Sequence, residues 1–216
     1  MIALFATSAF PNMPATAVSV EVLSATNTDT ATGTGMQVMN LVGLDSSWDE
    51  ITQSVTLTGK TAVVAAIPMT RVYRAYGTRC GTYGGSNNGV ITVRTLASTA
   101  FMYVATGQGQ SMTSHICVSN GYDAYISDVH ISVPSARPVD LKFWQRQHAD
   151  TATTPSPVRI VQIFDGVGGD VDYNYSDSLL RFQPKTDLWF TGTATSGANG
   201  SASIEYLIVK KSLTAQ

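Results

Sequence analysis

The side chains that could carry acid–base or nucleophilic chemistry are few in this sequence. The candidate bases are the three histidines, His115, His130 and His148. Asp128 and His130 lie two positions apart, so on a strand they would share a face and could form a dyad. Ser111 has a glycine two positions before it, but Thr113 stands where the nucleophile motif G-x-S-x-G needs its second glycine. We interpret Asp128 and His130 as a surface pair and predict no catalytic residue, hence no enzyme.

Four aspartates surround a glycine-rich turn and could supply oxygen ligands to a cation: Asp165, Asp170, Asp172 and Asp177. Oxygen-rich loops of this kind hold calcium in many proteins. The spacing here matches neither the EF-hand loop nor a glycine-rich nonapeptide repeat. We therefore favour a solvated loop and predict no bound metal.

Two glycine pairs begin like a dinucleotide-binding fingerprint. Gly33 and Gly35 form one pair, and Gly107 and Gly109 form the other. Both lack the third glycine of the fingerprint, and no helical pattern follows either pair. We interpret both as turns and predict no cofactor.

Tryptophans and cysteines offer two further kinds of site. Trp48, Trp144 and Trp189 could stack on sugar rings, although tryptophans in a β protein more often belong to a core or an interface. Cys80 and Cys117 are the two cysteines, which is too few for a disulfide framework. Their spacing fits neither a zinc site nor a redox C-x-x-C motif, and we predict free thiols.

The composition excludes several classes of partner. The 216 residues are 44% hydrophobic but only 13% charged, about half the usual charged share of a globular domain. The net charge of −2 provides no field that would attract nucleic acid or an acidic membrane. No apolar run approaches the roughly 18 residues of a membrane span. We expect a soluble protein that binds neither nucleic acid nor membranes.

Alternation of apolar and polar residues with a period of two dominates the chain and predicts strands. Val129, Ile131 and Val133, for example, alternate with His130 and Ser132. Clusters of Gly, Asn, Asp and Ser recur between these runs and predict turns, whereas no long window shows helical spacing with caps. We predict an all-β fold, an antiparallel β-sandwich or jelly roll with long loops.

The predicted domain organisation has two parts, an extended N-terminal arm and one β-sandwich domain. The arm covers residues 1–16 and the domain covers residues 17–216, with a minor division near residues 149–157 as the alternative, because that stretch is rich in Pro and Thr. The arm is apolar and lacks the positive start of a signal peptide, so we expect it to remain uncleaved. We predict that it contacts neighbouring subunits through five apolar residues: Ile2, Leu4, Phe5, Phe10 and Met13.

An ordered set of motifs lies between residues 24 and 63. It runs S-A-T-N-T-D-T-A-T-G-T-G (24–35), an apolar strand, G-L-D-S-S-W-D-E (43–50) and V-T-L-T-G-K-T-A-V (55–63). Weaker similarities continue through N-G-Y-D-A-Y-I (120–126) to D-L-W-F (187–190). These motifs resemble a family of tailed-bacteriophage virion proteins of the marine and environmental type.

The resemblance implies a non-enzymatic structural component of the virion: a capsid decoration or cement protein, a connector or a tail-associated protein. Its implied partners are further copies of itself, as a trimer or higher homo-oligomer, and other virion proteins. Its implied location is the virion, after assembly in the host cytoplasm. The alternative function is a carbohydrate-binding β-sandwich module used in host adsorption, since three tryptophans are present.

Overall fold

The computed structural model describes residues 13–133, 138–151, 156–175, 177–194 and 201–211, and every regular element within these residues is a strand. The described strands pair only in antiparallel fashion. The prediction of an all-β chain without helices is therefore confirmed for the described residues. In the same residues, no helix has the length and apolarity that crossing a membrane requires.

The described residues fall into two compact units, one made of residues 13–113 and one that begins at Ser114. The N-terminal unit has seven strands: β1 (Val20–Ser24), β2 (Met36–Leu44), β3 (Glu50–Thr56), β4 (Val63–Val64), β5 (Arg71–Cys80), β6 (Ile91–Thr95) and β7 (Ala100–Val104). The C-terminal unit has eight: β8 (His115–Cys117), β9 (Tyr122–Val133), β10 (Val139–Arg146), β11 (Arg159–Val167), β12 (Gly169–Asn174), β13 (Leu180–Phe182), β14 (Asp187–Ala194) and β15 (Ser201–Lys210).

The boundary between the units differs from the sequence-based expectation of one domain with an alternative division near residues 149–157. Ala149 is buried, and its N–H donates to the carbonyl of Lys185 at 3.0 Å. Asp150 forms a 2.8 Å ion pair with the same lysine. The start of the Pro- and Thr-rich stretch is thus bound to the C-terminal unit, and the described boundary lies between Thr113 and Ser114.

Two sheets form the N-terminal unit, with strand orders β4-β1-β6-β7 and β3-β2-β5. Their apolar residues alternate along each strand, so one face of each sheet is hydrophobic. Both faces contribute to a single buried cluster that includes Val20 and Val22 from β1 and Met39 and Leu41 from β2. Thr58 and Thr61 form an isolated antiparallel bridge. The strands on either side belong to different sheets, since β3 pairs with β2 and β4 pairs with β1, so the tight hairpin suggested by Gly59 and Lys60 is reduced to this one bridge.

The C-terminal unit also has two sheets. One sheet has the order β11-β10-β14-β8. In the other sheet β9 is the shared strand: it pairs with β12 through residues 128–133, with β13 through residues 124–126 and with β15 through residues 122–132. The two sheets share a second buried cluster, in which Phe143 stacks on Phe190 with ring centroids 4.7 Å apart. Phe164 of β11 meets Tyr173 of β12 edge to face at 4.5 Å, which joins the two sheets.

A buried carboxylate fixes the loops of the N-terminal unit. Asp29 is 0% exposed and accepts four hydrogen bonds, two on each oxygen. Oδ1 accepts the N–H groups of Met36 and Asn88 at 2.8 and 2.9 Å. Oδ2 accepts the Ser24 hydroxyl at 2.6 Å and the Gly89 N–H at 3.0 Å. One side chain therefore ties the end of β1, the start of β2 and the loop before β6 together.

The glycines of the Gly-Thr-Gly motif are required by this arrangement. A Cβ atom on Gly35 would lie 2.1 Å from Asp29 Oδ1, and one on Gly33 would lie 2.1 Å from the Thr28 carbonyl oxygen. A larger residue at Gly33 would require the backbone to move, and one at Gly35 would displace the buried Asp29 carboxylate from its hydrogen bonds. The motif thus serves internal packing, as the prediction of a turn rather than a dinucleotide site requires.

We expect Asp29→Asn to lower the free energy of unfolding by about 3 kcal/mol, because an amide nitrogen cannot accept the hydrogen bonds that one carboxylate oxygen now accepts. Chemical denaturation followed by circular dichroism measures this change. The matched control is Asp49→Asn, at an exposed position, which we expect to change stability by no more than about 0.5 kcal/mol. Equal stabilities of the two variants would contradict this role for Asp29.

Candidate functional site

The candidate nucleophile Ser111 and the candidate bases lie in different compact units. Ser111 lies in the N-terminal unit, where its hydroxyl accepts the Ala75 N–H at 2.9 Å and its own N–H donates to the Ala75 carbonyl at 2.7 Å. The three histidines all lie in the other unit. Ser111 therefore anchors the chain against β5, and its hydroxyl has a structural partner.

His130 lies on an exposed face of β9, but its partner is Asp172 rather than Asp128. The two strands β9 and β12 pair with His130 opposite Asp172, and His130 Nδ1 hydrogen-bonds to Asp172 Oδ1. Directly opposite residues have Cβ atoms about 5 Å apart, closer than residues two apart on one strand. Strand pairing thus decides which carboxylate the histidine meets.

The carboxylates around His130 change its protonation. The hydrogen bond to Asp172 raises the pKa of His130, and the charges of Asp172, Asp170 and Asp128 raise it further, against a smaller effect of desolvation. The imidazolium therefore stabilises the folded chain below the ordinary pKa of histidine. That contribution disappears as the pH rises through the raised pKa.

The four aspartates proposed as cation ligands are spread over separate elements. Asp165 lies on β11, Asp170 and Asp172 point outward from β12, and Asp177 follows β12 at an exposed position. Ser132 donates its hydroxyl to Asp170 at 2.5 Å. The expectation of a loop was wrong for Asp165, Asp170 and Asp172, which are strand residues. Across the described ranges, no group of three or more His, Cys, Asp or Glu side chains could hold a metal ion.

A buried ionic cluster in the C-terminal unit was not identified from the sequence. Asp187 is 0% exposed, and its Oδ2 accepts Nη2 and Nε of Arg146 at 2.8 and 3.2 Å. Its Oδ1 lies 3.1 Å from Nε2 of His115, which is itself 4% exposed. Because β14 lies between β10 and β8, this carboxylate connects three strands. The one sequence signal was an aspartate at the start of the apolar D-L-W-F motif.

The tryptophans are mostly unavailable as sugar platforms. Trp48 is 4% exposed and lies beneath the guanidinium of Arg71, whose carbon is 4.8 Å from the ring centroid. Trp189 is 0% exposed. Trp144 is half-buried, stacks on Trp189 with centroids 6.4 Å apart and donates its ring N–H to Thr191 at 2.8 Å. Among the three rings, Trp144 alone retains a partly exposed surface.

The cysteines are free thiols, with Cys80 on β5 half-buried and Cys117 on β8 buried. Burial raises the pKa of the Cys80 thiol, and the charge of Asp29 adds to this. A raised pKa lowers the thiolate fraction at neutral pH, so Cys80 does not resemble an activated nucleophile.

Large apolar side chains are exposed on two strands at sheet edges in the C-terminal unit. On β11, Ile160 and Ile163 are 43% and 46% exposed. On β15, four consecutive large apolar residues are exposed, namely Tyr206, Leu207, Ile208 and Val209, and we call them the β15 apolar edge. Exposed apolar groups on sheet edges are typical of surfaces that bind other chains. Of the predicted arm contacts, Ile2, Leu4, Phe5 and Phe10 lie outside the described residues, and Met13 is half-buried.

We expect Asp187→Asn to destabilise the C-terminal unit by about 3 kcal/mol, because it leaves the Arg146 charge without its carboxylate. Thermal unfolding followed by near-ultraviolet circular dichroism of the stacked Trp144 and Trp189 measures the effect. The control is Asp150→Asn, which removes a surface pair with Lys185 whose side chains are 32% and 28% exposed. It should cost less than about 1 kcal/mol. A larger loss in the control than in Asp187→Asn would refute the structural role of Asp187.

The pKa of His130 should fall toward the ordinary value for histidine in Asp172→Asn, because the variant removes the hydrogen bond that raises it most. Titration of the His130 ring signals by nuclear magnetic resonance measures this pKa. The control Asp165→Asn changes an exposed carboxylate that is not among the charges raising the pKa. An unchanged pKa in Asp172→Asn would show that the pairing across β9 and β12 does not exist in solution.

Comparison with known proteins adds no family to this description. No protein-family model, no curated protein and no solved structure matches the chain.

Proposed function

We propose that this chain is a non-enzymatic structural component of a tailed-phage virion, a decoration, connector or tail-associated protein. It works through association with copies of itself, as a trimer or higher oligomer, and with other virion proteins. It is assembled in the host cytoplasm and resides in the virion. Within this proposal each unit is a small β-sandwich, the architecture that places two sheets around one shared core.

The single observation that carries the proposal is the distribution of polar and apolar groups. The acids and bases best placed for chemistry, Asp29, Asp187 and His115, are buried and hold strands or loops together. The exposed surface instead presents large apolar side chains on β11 and β15. A protein whose polar groups are used internally and whose apolar groups face outward is suited to assembly rather than to catalysis.

The resemblance of the block at residues 24–63 supplies the virion context. In the structure this block provides the buried carboxylate of Asp29, the closely packed Gly33 and Gly35, and the buried Trp48. A motif whose residues serve internal packing fits a protein that must keep its shape under load. It does not require a ligand.

The proposal is tested in the phage that encodes the chain. We expect mass spectrometry of purified particles to find the chain in many copies, and antibody labelling to locate it on the particle. His130→Ala should be incorporated and leave infectivity unchanged, because His130 is an exposed group whose partner is one surface carboxylate. Deletion of residues 2–12 should reduce incorporation if the arm contacts neighbours.

Two results would contradict the proposal. One is a chain that is abundant in infected cells but absent from purified particles. The other is loss of infectivity in His130→Ala although the variant is incorporated normally, which would indicate a chemical role. Binding of the purified chain to a glycan array, abolished by Trp144→Ala, would instead support the carbohydrate-binding alternative.

A further inference from the structure

We propose that the β15 apolar edge is a dimerisation surface, on which β15 of a second copy of this chain pairs antiparallel and extends the sheet across a two-fold axis. The inference rests on the proposed function in one respect, namely that the protein associates with itself. It adds the strand, the symmetry and the register of one interface, none of which the virion proposal specifies.

The first argument is the state of the strand. Among the described strands, β15 pairs with β9 and with no other. Its four exposed large apolar residues are Tyr206, Leu207, Ile208 and Val209, with exposed fractions of 43%, 62%, 38% and 42%. Successive residues point to opposite faces of a strand, so both faces of β15 are apolar here. Edge strands that avoid pairing usually carry a charge or proline at such positions, and residues 206–209 contain neither.

The second argument is symmetry, which restricts the register. A two-fold axis that relates two antiparallel edge strands is perpendicular to the sheet, so it keeps each face on its own side. Directly opposite residues must therefore point to the same face, and their numbers must both be odd or both be even. One residue then lies directly opposite its own copy, and the axis passes midway between the two; we name each register by that residue.

The third argument is charge complementarity, which selects among the allowed registers. With the axis at Ile208, Leu207 lies opposite Val209 of the second copy, and Glu205 lies opposite Lys211 of the second copy. The two-fold axis generates each of these two pairs a second time on its other side. With the axis at Leu207, Glu205 would face an apolar valine, and with the axis at Val209, Lys211 would face an apolar leucine. Only the register centred on Ile208 sets opposite charges against each other at both ends of the apolar edge.

The two charged residues are placed to make this pairing. Glu205 is exposed, and Lys211 has a side chain that is 46% exposed. The Lys211 N–H donates to the Gly121 carbonyl at 2.8 Å, so the backbone remains in the ladder one residue beyond β15. The Lys211 ammonium lies 3.7 Å from Asp123 Oδ1 of its own chain, which holds it near the strand.

Charge reversal in the full-length chain tests the register. In Glu205→Lys and in Lys211→Glu, each homodimer would set like charges against each other twice, and we expect the dimer dissociation constant to rise about tenfold. An equimolar mixture of the two variants should recover wild-type affinity, because both contacts in the mixed dimer join a lysine to a glutamate. Analytical ultracentrifugation measures the association, and circular dichroism verifies that each variant is folded.

The matched control is Lys210→Glu, which reverses the neighbouring exposed lysine on the other face of the strand. Its partner in the proposed register is Tyr206 of the second copy, so we expect a change of less than about twofold. This control separates a specific register from a general effect of net charge, since Lys210→Glu changes the net charge by the same amount as Lys211→Glu.

Three outcomes would overturn the inference: a wild-type chain that stays monomeric, single variants that associate as well as the wild type, or a mixture that recovers no affinity. Loss of association on deleting residues 2–12, with no effect of the charge reversals, would assign the edge to the N-terminal arm and likewise overturn it. If the mixture recovers wild-type affinity but the chain is absent from purified particles, this interface is supported and the virion proposal is contradicted. If the chain is present in purified particles but charge reversal does not change its association, the virion proposal is supported and this interface is contradicted.

Discussion

The N-terminal unit depends on the desolvated carboxylate of Asp29. A buried charge is tolerated only when hydrogen-bond donors surround it, and here three backbone N–H groups and one hydroxyl do so. Those donors come from segments as far apart in sequence as Ser24 and Gly89, so the carboxylate fixes where the loops meet. The loops in turn set the start of β2 and the approach to β6. The shape of this end of the unit follows from satisfying one side chain.

The C-terminal unit uses the same principle with a different donor set. Asp187 is surrounded by the guanidinium of Arg146 and the imidazole of His115, donors from two different strands. Removing either unit's carboxylate would leave buried donors without an acceptor, which costs far more than the loss of a surface ion pair. In both units, groups that elsewhere perform acid–base chemistry instead specify how strands are joined.

The surface shows the complementary consequence. Because most acids and bases on it are scattered single groups or cross-strand pairs such as His130 with Asp172, the exposed feature with the greatest capacity for binding is apolar. Apolar area at a sheet edge combines two favourable terms, burial from water and new backbone hydrogen bonds. Those terms carry no specificity, and charges flanking the edge, such as Glu205 and Lys211, are what select one register over its neighbours.

Local patterns were sufficient to predict the strands and the absence of helices among the described residues, because a period of two is a property of short segments. They were not sufficient to place the unit boundary after Thr113, to pair His130 with Asp172 or to bring Arg146 to Asp187. Each of these depends on which distant strands become neighbours and in which register. That choice is made by the packing of whole sheets around a shared core, and no short stretch of the sequence contains it.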